Sequence, residues 1–227
     1  MNKKTKKLLS GIITVMILAV ISLQVHAESL SDPSTILSKM VLANTYFLNK
    51  YPDPGANADP THAGNIWTKA TYMEGLMALY ATNTDQSLYN FAVDWADYFR
   101  WNTRSGNRTT NADDQCCMQV YCELYVIDPQ PDRIANTTTC MDNMCNQSSN
   151  RIWTWIDAIH MSAPIFSKMT AITGDNKYVD KMYSLWNWSK QNFYDTSENL
   201  WWRDRNYVNG DVYWSRGNGW VFAALVR

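Results

Sequence analysis

Three stretches of this chain end alike, at a fixed interval. LYATNTD (79–85), LYVIDP (124–129) and MTAITGD (169–175) each run from apolar residues into a polar turn, and Leu79, Leu124 and Met169 stand 45 residues apart. A second segment follows each end. Over 86–103 and 177–193 its apolar residues fall at spacings of three and four; over the Asn/Thr-rich 132–149 the pattern is weaker. Such a repeat holds two helices and two turns. One helical hairpin cannot bury its apolar face alone, so units of this kind stack or close into a ring. Strand signals are scarce. The expected fold is all-α, with the Pro/Gly/Asn-rich stretch 52–66 and the Trp-containing stretch 195–213 as loops.

The N-terminus reads differently. Lys3, Lys4, Lys6 and Lys7 precede an apolar run from about Leu8 to Leu23, and Val25-His26-Ala27 offers a small-x-small cleavage site. This is the layout of a secretory signal peptide over 1–27, which makes the expected product secreted or periplasmic, with 28–227 as the folded domain. Without those four lysines, 20 basic residues become 16 against 21 acidic ones, a net charge of −5. That balance argues against nucleic acid as a partner. No basic amphipathic stretch remains to suggest a membrane surface after cleavage. The five cysteines are an odd number; Cys140 and Cys145 could pair. Their spacing, with no matching His, does not suggest a zinc site, and no metal or cofactor is expected. At the other end, VFAALVR (221–227) begins a helix and stops about two turns in, so the chain reads as an N-terminal fragment.

Candidate chemistry follows from the repeat. Asp157 sits in WTWIDAIHM (153–161), among indoles, isoleucines and methionine. Burial raises a carboxyl pKa and makes a usable general acid near neutral pH. Stepping back 45 residues from Asp157 reaches Ala112, and 45 more reaches Trp67. Asp113 lies one residue past that register and Asp114 two. In a ring of hairpins, equivalent helix starts converge on one mouth, where an indole and two carboxylates would share a cleft. Paired carboxylates are what glycosidic chemistry needs, although Asp113-Asp114 also suits a helix cap. His160 can face the same way as Asp157, as ligand or as satisfied core histidine. Glycines flank Asn218 in WSRGNGW (214–220) and would let backbone approach a ligand. Arg216 could grip a carboxylate with two hydrogen bonds, and Trp220 could stack on a sugar ring.

With these motifs in view, the chain resembles the unsaturated glycuronyl hydrolases of glycoside hydrolase families 88 and 105, the family 105 rhamnogalacturonyl hydrolases in particular. The resembling segments are WTKATYMEGLMALY (67–80), ADDQCCMQVYCELY (112–125), WTWIDAIHMSAP (153–164), WWRDRNY (201–207) and WSRGNGW (214–220). The resemblance implies an (α/α)6 barrel, here incomplete at the C-terminus. It implies a substrate too: a lyase-generated oligosaccharide, of pectin or rhamnogalacturonan type, ending in a 4,5-unsaturated uronic acid. The implied reaction hydrates the vinyl-ether double bond. In that resemblance Asp157 is the acid/base and Asp113 or Asp114 the second carboxylate, with the register favouring Asp113. Arg216, Asn218 and Trp220 become substrate-binding, and Trp67 and Tyr72 an aromatic wall. Arg203-Asp204 stands where some relatives carry a His, and His160 takes no catalytic role. The alternatives are an ordinary α-glycosidase of mannan type on the same barrel, or an inactive fragment.

Overall fold

The computed structural model describes residues 32–57 and 61–227; the signal-peptide reading of 1–27 lies outside them. The chain divides after Ser38. Residues 39–227 form the compact unit, and of the other, through Ser38, residues 32–38 are described. Helix α1 is Pro33–Lys50.

Helices then come in pairs. Trp67–Asn83 (α2) returns through Gln86–Tyr98 (α3), and Asp157–Thr173 (α7) through Lys177–Phe193 (α8). The middle pair starts with a break. Ala112–Gln115 (α4) and Met118–Ile127 (α5) are separated at Cys116-Cys117, before the return helix Pro131–Cys145 (α6). The short antiparallel strands Tyr194–Asp195 (β1) and Leu200–Trp201 (β2) pair with each other, and Ser215–Val226 (α9) follows. The periodic residues Leu79, Leu124 and Met169 each lie near the end of the first helix of a pair, all three buried. Thr84 and Gly174, both left-handed, close α2 and α7 by donating to the carbonyls of Tyr80 and Thr170.

The core lies along α2, α5 and α7. Met73, Leu76, Met118, Leu124, Ile165 and Phe166 are fully sequestered there, each worth about 1.5–3 kcal/mol of burial. The weakly periodic 132–149 is helical as far as Cys145 because Thr137, Cys140, Met141 and Met144 repeat at three and four and face the core. Pro131 opens it at a position that needs no N–H. Buried Lys69 ties the 53–56 loop to α2 by donating to the carbonyls of Asp53, Pro54 and Ala56. Its desolvation lowers the ammonium pKa to about 8.

All five cysteines are free. A Cys140–Cys145 bridge is excluded by helix geometry: five residues along α6 turn the two side chains about 140° apart. Cys140 Sγ donates to Thr109 O, and Cys145 Sγ to Lys177 O.

Candidate active site

The starts of three first helices open on one cleft of about 730 Å³. Trp67, the first residue of α2, and Asp157, the first of α7, both line it, together with Asp113 from the first turn of α4. The opposite wall is Arg203, Tyr207, Val212, Tyr213, Trp214, Ser215 and Arg216, and Trp155 completes the lining.

Up to Trp214 that wall is irregular chain, fastened at both ends. Ile156 N donates to Arg203 O at 3.0 Å, and Trp155 pairs with Asp204 in an isolated bridge, so 203–204 lies across the start of α7. Asn218 fastens the other side. Its Oδ1 accepts from Trp201 N at 2.8 Å, while its Nδ2 donates to Trp201 O and Trp214 O, each at 3.0 Å. Gly217 permits this approach: a Cβ there would meet the Trp214 indole and come within 2.9 Å of Ile156 Cδ1.

Asp157 is half-buried, and its Oδ1 is buried without a hydrogen-bond partner. Desolvation raises its pKa from 3.8 to about 6. Its own backbone amide opposes the rise. Nearby Asp113 adds to it, and the Arg203 and Arg216 guanidiniums pull against it. Asp113 is also raised, first by burial, then by the adjacent Asp114 charge, against Arg104 and His62. Arg203 and Arg216 both lie against the Trp214 indole, at 5.7 and 4.8 Å from its centroid.

Four expected site residues point elsewhere. Asp114, one residue on from Asp113, turns inward; it is 2% exposed, paired with Arg104 Nε at 2.5 Å and accepting from Thr109 Oγ1. Tyr72 stacks on Phe47 at 3.4 Å and donates to Asn44 Oδ1, lining a separate groove because it lies a turn and a half below the mouth. Asn218 spends its amide groups on the fastening just described. Trp220 rests on the His160 ring, 4.6 Å away, beneath the cleft. Conversely, Trp155, Tyr207, Tyr213 and Trp214 line the cleft without having been singled out, and Arg203, noted only as standing where some relatives carry a His, lines it too. All five fall inside or beside the motif segments, where the signal was the motif rather than the residue.

The arrangement can hold an anionic ligand against a carboxylic acid that is protonated below about pH 6. Comparison with known proteins agrees in outline. The Glycosyl Hydrolase Family 88 model matches residues 39–227. Two proteins named unsaturated 3S-rhamnoglycuronyl hydrolase, from Formosa agariphila and from Alteromonas sp. (strain LOR), are 24% and 25% identical to 99% and 76% of this chain. The chain aligns with 64% and 48% of their lengths. A solved structure of a family 88 glycosyl hydrolase from Bacteroides vulgatus shares 26% identity with a TM-score of 0.75, over 85% of this chain and 60% of that one. One titled a polysaccharide lyase shares the fold at 24% identity and TM-score 0.76, over 85% and 58%. The family match spans the whole of the helical unit that carries the cleft, and on that ground the chain belongs to glycosyl hydrolase family 88.

Proposed function

We propose that this cleft removes a 4,5-unsaturated uronic acid from the non-reducing end of lyase-generated oligosaccharides. The observation that carries the reading is a carboxyl raised to about 6 in the same cleft as a guanidinium. Protonating an alkene carbon requires a neutral acid, and the apolar setting of Asp157 keeps it neutral to higher pH than an ordinary Asp. Asp157 delivers its proton to carbon 4. Positive charge develops at carbon 5 beside the Asp113 carboxylate, and water adds there, returning its proton to the Asp157 carboxylate left by the first transfer. The hemiketal collapses, releasing the aglycone and an open-chain keto sugar. Arg216 pairs with the ring carboxylate, and Trp67, Trp155 and Trp214 bound the ring. The names of the curated relatives support a rhamnose-type sugar next in line. Arg203, the second guanidinium, suits a further anionic substituent on that sugar.

The ultraviolet absorbance of the 4,5-double bond tests this directly. It should fall as the protein acts on a lyase-digested, rhamnose-containing polysaccharide. A rise on the undigested polymer would mean a lyase, and cleavage of intact neutral glycan an ordinary glycosidase; either result overturns the reading. The basic-then-apolar N-terminus supports an exported enzyme, and mass spectrometry of the product should find Glu28 as its first residue.

A further inference from the structure

A second layer of polar groups lies beneath the cleft, and it meets on one carboxylate. Glu74 is 4% exposed. Its Oε1 accepts from Cys116 Sγ at 3.3 Å, its Oε2 is hydrogen-bonded to His160 Nε2 at 3.1 Å, and Arg227 Nε lies 3.6 Å from the same oxygen. His160, 2% exposed, carries Trp220 against its ring.

The spacings are telling. Glu74 is seven residues after Trp67, Cys116 three after Asp113, His160 three after Asp157, and Trp220 four after Arg216. Three, four and seven are same-face spacings on a helix. Each of these four cleft groups therefore has a partner one or two turns deeper, on its own helix or, for Cys116, at the helical residue that closes α4, and the four partners touch through Glu74 and His160. Stability alone gives a poor account of this cluster, because buried charged and polar pairs can often be replaced by apolar side chains at little cost.

We infer that Glu74 and His160 are positioning residues, setting Asp157 against Asp113 and Arg216 by tying together the elements that carry them. The inference rests on the cleft reading above. Proton transfer to carbon tolerates little displacement, whereas a carboxylate grip on flexible arginine tolerates more. The double variant Glu74→Leu/His160→Phe keeps the volume apolar and the aromatic face under Trp220. In the full chain it should still unfold cooperatively, while kcat per folded molecule falls at least about tenfold and KM stays within about threefold. Cys116→Ser, which retains a donor to Glu74, should behave as wild type, and Cys116→Ala should lose part of kcat. Amide exchange in the first turns of α7 and α9 should speed up in the double variant at unchanged global stability. Wild-type kcat and exchange in the double variant would overturn the inference. Should the wild type not turn over an unsaturated oligosaccharide at all, the cleft reading fails, and exchange in α7 and α9 still decides the positioning role.

Discussion

Asp157→Asn should make the protein more stable at neutral pH while removing its activity. Folding moves the Asp157 carboxyl from 3.8 to about 6. A folded-state pKa raised in this way means that the native protein binds the proton more tightly than the unfolded chain. Stability from this site is full below about pH 4 and is lost as pH rises through about 6. At pH 7.5 the folded chain therefore carries an ionised carboxylate with a buried, unpartnered Oδ1. The shift corresponds to about 3 kcal/mol at 1.36 kcal/mol per unit; allowing for solvent screening of a half-buried group leaves about 2 kcal/mol. An amide of the same shape carries no charge to desolvate. For a domain of this size, 2 kcal/mol is roughly 4–8 °C in Tm. Thermal unfolding of wild type and Asp157→Asn at pH 7.5 and pH 4 is the assay. The gain should appear at pH 7.5 and shrink to a small fraction at pH 4. An equal gain at both pH values, or none at pH 7.5, would refute the reasoning that desolvation of Asp157 is the cause.

Activity should fall as pH rises through about 6, because the ionised acid cannot donate; Asp113→Asn should move that descending limb to lower pH by removing a neighbouring negative charge, read as a kcat/KM profile. Arg216→Ala should raise KM at least about tenfold and move the limb to higher pH, since Arg216 holds the Asp157 pKa down. Arg203→Ala should raise KM for oligosaccharides bearing a second anion and change little for those without one, checked by parallel kinetics on sulfated and desulfated substrates. Arg104→Ala should cost about 2–3 kcal/mol in chemical denaturation by stranding the buried Asp114 charge.

The repeat was legible because its physics is local. An apolar helix end followed by a left-handed or polar stop recurs at 79, 124 and 169, and counting back from Asp157 led to the mouth of the cleft. Choosing between Asp113 and Asp114 was harder. They are neighbours on one turn, and what turns Asp114 inward is Arg104, ten residues away and with no periodic relation to it. Tyr72 shares a motif with Trp67, yet rotation along α2 carries it to Phe47 and Asn44. Asn218 read as a ligand contact between two glycines, but its amide is taken up by a strand 17 residues earlier. Arg203 and Tyr207 reach the cleft only because irregular chain folds back over α7, and neither propensity nor period encodes such a return.

The unpaired thiols bear on how this protein behaves once unfolded. Burial pushes Cys122 and Cys140 up to about 12 and Cys145 to about 11, and raises Cys116 and Cys117 further still. In the native state almost no thiolate exists to react. An unfolded chain presents the same five sulfurs at ordinary acidity, two of them adjacent in sequence. Denaturation in air should therefore turn an orderly equilibrium into a tangle of mismatched bridges, whereas the same cycle with reductant should run backwards cleanly. Durability in an oxidising medium then depends less on how stable the fold is than on how seldom it opens.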